Sequence, residues 1–454
     1  GSRSRASGPT TTYMLPGGCL FRRRLRATAV AIVVSLVVWT PFASQPAQAS
    51  EPARSVRAGE AGTGMPAIPV VYPRTRTPVR LSTRTAATVT FADLGMSDAW
   101  AKEGIVWVAK TNSWMLDFAS NPDGTYDFRP DAIERRKYFA RSVVRAFAPD
   151  EEPDPTIVFD DLDASSPWYR YAAVATDHGW LTAANGAFDP DGAVTMAMVH
   201  RALVLALGLA PAAKALNNIH TRDGVKFKTP STFGTNVLGM RLGLRYNAPT
   251  GSESRDVAPK DRMPRAQVAY SLWRATTQPS WNVPNLLAQY ANVELPHLGP
   301  RAQEIVRWGI RYAGYPYILG GEWGLETKEP SALGGQPRSG FDCSGLTWWL
   351  LRADDGGYWN VNPPRPYQGW SLPQRTSADM AAMAPKKLRY DDLHPGDPMF
   401  YDGDGNGTVD HVDTYIGRGW ALDSSSTPGG VTIMWVGSGW YRDHFKWGRR
   451  VLPG

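Results

Sequence analysis

The chain has 454 residues, 43% of them apolar and 20% charged, with two cysteines and a formal net charge of +7. That length implies two or three folding units with ample apolar content for their cores, and the composition excludes a disordered chain or a disulfide-framed one. The positive balance does not point to nucleic acid: residues 1–84 hold twelve arginines against Glu51 and Glu60, which leaves the rest slightly acidic.

In chain order, residues 1–49 read as an N-terminal extension and a secretory signal. Arg22, Arg23, Arg24 and Arg26 precede the apolar run 29–39, and Ala47-Gln48-Ala49 supplies a small-x-small cleavage pattern. The apolar run is shorter than the roughly 20 residues that a spanning helix needs, so no stable membrane span is expected once the signal is removed. Residues 50–87, rich in Pro, Thr, Arg and Ala without apolar periodicity, read as a flexible linker. Cys19 lies within the signal, so the exported chain keeps a single thiol, Cys343. An unpaired thiol outside the cell is an oxidation liability unless it is buried or used.

Residues 88–277 contain an internal similarity. Phe91-Ala-Asp-Leu94 is followed nine residues on by Trp100, and Phe159-Asp-Asp-Leu162 nine residues on by Trp168. Each unit then runs to Phe128-Arg-Pro-Asp131 or Phe188-Asp-Pro-Asp191 and into an amphipathic helix, expected over 133–147 and 194–207. A weaker third copy ends in Val257-Ala-Pro-Lys260 and a helix over 263–275. The three repeats are placed at about 88–150, 155–210 and 213–277. This mostly helical layout resembles the S-layer homology repeats, which bind secondary polymers of the bacterial wall. Their helix-start element is matched in part by Glu134-Arg-Arg-Lys137, Thr195-Met-Ala-Met198 and Pro264-Arg-Ala-Gln267. The resemblance implies polymer-binding roles for Arg135 and Arg265, with Met196 a departure; a helical spacer is the alternative.

Several Pro and Asn residues mark 278–300 as a second linker. In the last unit, 301–454, an opening helix places Ala302, Ile305, Val306 and Ile310 on one face, and short alternating runs follow residue 395. A helix-then-sheet order predicts an α+β domain.

Cys343 stands in Phe341-Asp-Cys-Ser-Gly-Leu346, directly before an apolar run, and hence at a helix N-terminus. Unpaired N–H groups there favour thiolate, the reactive species. A thiol nucleophile needs a base that also protonates a leaving amine. His411 heads a strand pattern in which His411, Asp413 and Tyr415 share one face. The tight Gly417-Arg-Gly419 turn brings Asp423 back toward His411, where a carboxylate fixes the imidazole tautomer.

With these residues in view, the unit resembles the NlpC-type papain-like endopeptidases of peptidoglycan. The matching segments are Gly314-Tyr-Pro-Tyr-Ile-Leu-Gly-Gly321, Phe341-Asp-Cys-Ser-Gly345, Leu372-Pro-Gln-Arg-Thr-Ser377, Leu393-His-Pro-Gly-Asp397 and His411-Val-Asp-Thr-Tyr-Ile-Gly417. The resemblance implies that Cys343 attacks the carbonyl, that His411 is base and then acid, and that Asp423 fills a third polar position often held by His. It also implies that Tyr317 lines the site; Asp342 and Ser344, which flank the thiol, are taken with it as substrate-binding candidates.

The turn before His411 carries Asp402, Asp404, Asn406, Thr408, Asp410 and Asp413 at positions 1, 3, 5, 7, 9 and 12 of a calcium-loop register, with Gly407 at 6. An Asp/Gly/Asn hairpin turn is the alternative. The expectation is therefore a monomeric, secreted, wall-associated hydrolase. It would cut a stem-peptide amide, usually in that family the D-glutamyl–diamino acid bond, through a Cys343 thioester. Peptidoglycan and secondary wall polymers are its expected partners, with no cofactor required beyond a candidate Ca²⁺. The alternatives are a wall-binding protein with a non-catalytic scaffold and a thioester acyltransferase.

Overall fold

The computed structural model describes residues 89–249, 251–323, 327–331, 334–336, 339–351, 374–383 and 386–452. The expected signal and the expected 50–87 linker lie outside the described residues. Among the described residues no helix is long and apolar enough to cross a membrane.

The first part is helical. The helices are α1 (Ala99–Ile105, continued by a π-helical turn, Val106–Thr111), α2 (Arg136–Phe147), α3 (Tyr169–Asp177), α4 (Met196–Ala206), α5 (Ala210–Asn217), α6 (Phe233–Arg241) and α7 (Arg265–Thr276). The long helix of each repeat starts two or three residues later than the periodicity predicts. Those residues are extended instead, and they join the repeats to one another. Residues 133–135, 193–195 and 262–264 meet in a closed ring of antiparallel bridges: Ile133 with Pro264, Arg135 with Ala193, Thr195 with Arg262. Three backbone bonds run round it in sequence. The Glu134 N–H donates to Met263 O at 3.0 Å, Val194 N–H to Glu134 O at 3.0 Å, and Met263 N–H to Val194 O at 2.9 Å.

Helix packing follows the same cyclic rule. The α3 helix packs on α2 of the preceding repeat, α6 on α4, and α1 on α7, so the first helix of the region is partnered by its last. Equivalent residues do equivalent work in the first two repeats. Asp93 accepts the N–H groups of Phe128 (2.9 Å) and Arg129 (2.6 Å), and Asp161 those of Phe188 (2.7 Å) and Asp189 (2.6 Å). Arg129 and Asp189 both take left-handed φ, 60° and 57°, a strained conformation for a residue with a side chain that these carboxylates hold in place.

The residues 278–300, expected as a linker, are instead ordered. They contain α8 (Asn282–Gln289) and a short strand, Glu294–Leu295, pairing in parallel with His220–Thr221. Pro284 is tolerated because it falls in the first helical turn, where the N–H it lacks has no partner to lose. Tyr290 is fully buried and donates its hydroxyl to Ile433 O at 2.6 Å, tying this stretch to the last part of the chain.

That last part opens with α9 (Pro300–Tyr312), which buries Ala302, Ile305, Val306 and Ile310 as the sequence predicts. Gly309 lets it approach the sheet closely, since a Cβ there would collide with Leu422. A further helix, α10 (Cys343–Leu351), is buried along its whole length. The sheet has six antiparallel strands: β1 (Lys387–Leu388), β2 (Pro398–Tyr401), β3 (His411–Gly417), β4 (Trp420–Ser425), β5 (Gly430–Trp435) and β6 (Phe445–Arg449). Their spatial order is β5-β4-β3-β2-β6-β1, and α10 packs across β3 and β4. The predicted hairpin is present: Thr414 pairs with Leu422 and Tyr415 with Ala421, turning through Gly417, Arg418 and Gly419, all at positive φ. The α6 helix of the repeats packs on β5, where the Arg245 guanidinium, itself buried against Asp256, donates to Gly429 O.

Candidate active site

Cys343 begins α10 and is 8% exposed. Its helix start is held by the residue before it. The Asp342 carboxylate accepts the Gly345 N–H of the first turn and the Ser344 hydroxyl (3.0 Å) on one oxygen, and the Gly320 N–H (2.8 Å) on the other. Arg375 then grips both Asp342 oxygens at 3.1 Å, donates to the Ser344 hydroxyl at 2.8 Å and pairs with the buried Glu322. Burial works against the Arg375 charge, but Asp342 and Glu322 hold the guanidinium more firmly protonated than usual. Asp342 and Ser344, expected to bind substrate, are thus turned inward as the footing of the helix. Nothing local in the sequence marks Arg375 or Glu322 as supports, although Arg375 lies in the Leu372–Ser377 segment; only the fold brings these distant residues under the thiol.

His411 starts β3, and Cys343 is among the groups that raise its pKa. Its Nε2 lies 3.1 Å from Asp413 Oδ1 and 3.2 Å from Asp423 Oδ1. Asp423 is held in turn by Ser425 Oγ (3.0 Å) and Tyr441 Oη (3.1 Å), both on Oδ2. Burial alone would push the His411 pKa down, but Asp413, Asp423 and Cys343 together raise it well above the usual imidazole range. Tyr317 is half-buried beside the site, and burial together with the neighbouring Cys343 and Asp342 pushes its hydroxyl pKa up. Cys343, His411, Asp423 and Tyr317 are therefore brought together. A thiol at a helix start, an imidazole kept positive by buried carboxylates, and N–H groups at the same helix end suit attack on a carbonyl with an oxyanion stabilised in place.

The calcium-loop register does not assemble as predicted. Asp402, Asp404 and Asp410 converge, but Asp413, its twelfth position, points the other way to His411 because period 2 puts both on one face of β3. Lys446 already supplies a cation to Asp402 at 3.0 Å, and the Gly403 and Asp404 N–H groups take up the Asp410 carboxylate. Asn406 and Thr408 serve the turn itself, Asn406 Oδ1 accepting the Thr408 N–H at 2.7 Å.

The two arginines expected to bind polymer differ. Arg265 is 2% exposed and bonded to Phe128 O (2.8 Å), Glu134 (3.0 Å) and Asp117, so it is a fixture of the ring. Its counterpart is Arg136, the first residue of α2, which donates to Phe188 O at 2.7 Å. Arg135 sits one residue earlier, exposed and paired with Asp191 at 2.7 Å. With Asp117, Arg129, Tyr138, Arg262 and Arg265 itself, it lines a cavity of about 540 Å³ at the junction of the repeats.

Residues 328–450 match the NlpC/P60 family model. The chain is 30% identical over 134 residues to a gamma-D-glutamyl-L-lysine dipeptidyl-peptidase of Bacillus subtilis (strain 168), covering 29% of this chain and 35% of that protein. It is 30% identical over 122 residues to the murein DD-endopeptidase MepH of Escherichia coli (strain K12), covering 26% and 39%. The bifunctional muramidase/DL-endopeptidase CwlT of B. subtilis is 29% identical over 143 residues, 31% of this chain and 34% of that one. The chain thus spans little more than a third of the length of these curated relatives. A crystal structure of an NlpC/P60 family protein from Bacillus cereus ATCC 10987 is similar at 26% identity, covering 34% of this chain and 42% of that one, with a TM-score of 0.25. The C-terminal part of the chain, residues 328–450, is an NlpC/P60 domain.

Proposed function

We propose that the protein is a secreted, wall-associated peptidoglycan hydrolase that cuts an amide of the stem peptide through a thioester on Cys343. The observation that carries this reading is the His411 imidazole 3.2 Å from buried Asp423, on a strand over which the Cys343 helix packs, with its pKa raised by Asp423 and Cys343 among others. In the reaction, His411 carries the proton removed from the thiol. The Cys343 sulfur attacks the carbonyl carbon, and the oxyanion is met by N–H groups at the start of α10. His411 then gives its proton to the departing amine. A water, deprotonated by the same imidazole, releases the acid and restores the thiol. No redox step enters this cycle. The bond we assign is D-glutamyl–diamino acid; the similar proteins are named for gamma-D-glutamyl-L-lysine, DL and DD bonds, so the assignment rests on the first of them.

We also propose that the three repeats are of the S-layer homology kind and hold the enzyme to a wall polymer. The exposed Arg135 supports this, and Arg265 lines the same cavity, though it is buried and held by Glu134 and Asp117. The test is incubation of the protein and its Cys343→Ala variant with purified peptidoglycan, with released fragments identified by mass spectrometry. New termini at one stem amide, absent with Cys343→Ala, are expected. Identical fragment profiles would leave a wall-binding protein with an inert C-terminal scaffold.

A further inference from the structure

Asp413 has no part in the cycle above, yet it is fully buried beside the proposed base. Its Oδ1 lies in line for the His411 Nε2–H bond at 3.1 Å, whereas Asp423 Oδ1, at 3.2 Å, lies off that line and has no aligned hydrogen-bond donor. Both carboxylates are 0% exposed. Continuing the Thr414–Leu422 register by one residue sets Asp413 and Asp423 across from each other on adjacent strands. Like charges in that position are destabilising, and two carboxylates in one dry site resist ionising together, so the second proton leaves at a raised pH.

The surrounding donors decide which one stays charged. Asp423 Oδ2 receives the hydroxyls of Ser425 and Tyr441, while Asp413 Oδ2 is buried without a donor at bonding geometry. The groups facing Asp413 are His411 on its own strand, Asp423 on β4, Tyr401 on β2 and Tyr441 from the short helix Trp440–His444. Cys343 and Tyr317 lie past the imidazole, and Arg241 of α6 acts from the far side of Tyr441.

We propose that Asp413 is a positioning residue for His411 and holds one proton in common with Asp423, so that the imidazole faces one negative charge below neutrality and two above it. A proton between the carboxylates gives a partner to both orphaned oxygens, Asp413 Oδ2 and Asp423 Oδ1. Burial and the Asp423 charge push Asp413 up to about 7, while Asp423, despite its burial, is held below the usual range by His411 and the hydroxyl donors. The two values belong to the pair as a unit. When the shared proton leaves to water, the imidazolium holds its own proton more tightly, and the oxyanion on the substrate forms against an added negative charge. Both effects slow turnover as pH rises through neutrality.

This inference rests on His411 being the base, so the experiment has two independent arms. In the first, kcat on a soluble muropeptide is compared at pH 6 and pH 9. The wild type is expected to fall about tenfold, the change that one unit of imidazole pKa carries, and Asp413→Asn, which cannot ionise, to change by less than about twofold on the same scale. An equal fall in both overturns the proposal, because a purely structural role would lower Asp413→Asn evenly at every pH. The second arm needs no substrate: the ¹⁵N resonances of the His411 ring are titrated in Cys343→Ala and in Cys343→Ala/Asp413→Asn. Two inflections in the first and one in the second are expected. A single inflection in Cys343→Ala overturns the shared proton whatever the enzyme cuts, and whether or not the double variant folds.

Discussion

The ring that joins the repeats and the centre around His411 both collect buried charge from distant parts of the chain, and they treat it in opposite ways. In the ring, Arg141 and Arg265 face Asp117 and Glu134, so cations and anions balance, and Arg265 bonds a backbone carbonyl as well. Around His411 the balance is acidic. Two carboxylates meet one imidazole, and two of their oxygens are left without an aligned donor. The ring is not fully satisfied either, since burial pushes Glu134 up to about 8 and its Oε1 has no donor; what separates the two regions is two guanidinium groups shared by two carboxylates against one imidazole shared by two.

Variants can break this contrast. The largest effect is expected at the imbalance itself: His411→Ala should lower turnover per folded molecule by on the order of 10³-fold or more, and turnover retained in the folded variant would place His411 among structural residues. In the ring the order should reverse. Arg265→Ala leaves Glu134 buried without its cation and Asp117 with Arg141 alone, which costs about 3–5 kcal/mol, read as a lower midpoint in urea, while kcat per folded molecule is retained. Asp423→Asn should come next, with kcat down about 10²-fold, less than removal of a sole orienting carboxylate because Asp413 still meets Nε2. The smallest change is expected from Thr195→Ala, which removes the N-cap of α4, where Thr195 Oγ1 accepts the Met198 N–H, and costs about 1 kcal/mol with no effect on activity.

What the sequence disclosed follows from how local each signal is. Cys343 before an apolar run, His411 on an alternating strand, and the Gly-Arg-Gly turn that returns Asp423 are all decided within a dozen residues, and the structure assembles them as read. Asp413 fits two patterns in the sequence, face-mate of His411 and twelfth position of a calcium loop; strand period overrides loop register because β3 begins at His411, before the loop would end. Arg375 was illegible as a support because its partners Glu322 and Asp342 are 53 and 33 residues away. The choice between Arg135 and Arg136 turned on a single residue of helix start, which composition does not specify. At the second ring position Met196 and Val257, both buried, stand where the other repeats set Arg against Phe, so the departure there is a paired exchange of chemistry within the core.

The pairing of α1 with α7 has a consequence for how such a region can be built. An open array of repeats can gain or lose a unit at either end, because each contacts only its neighbours. A ring whose first helix is sheltered by its last has no end at which to add or subtract. Removing residues 88–150 or 213–277 would bare an apolar helix face and leave the remaining two junctions without closure. Three is therefore a fixed number here, and the contact that enforces it joins residues more than 150 positions apart, so this region should fold slowly and all at once rather than repeat by repeat.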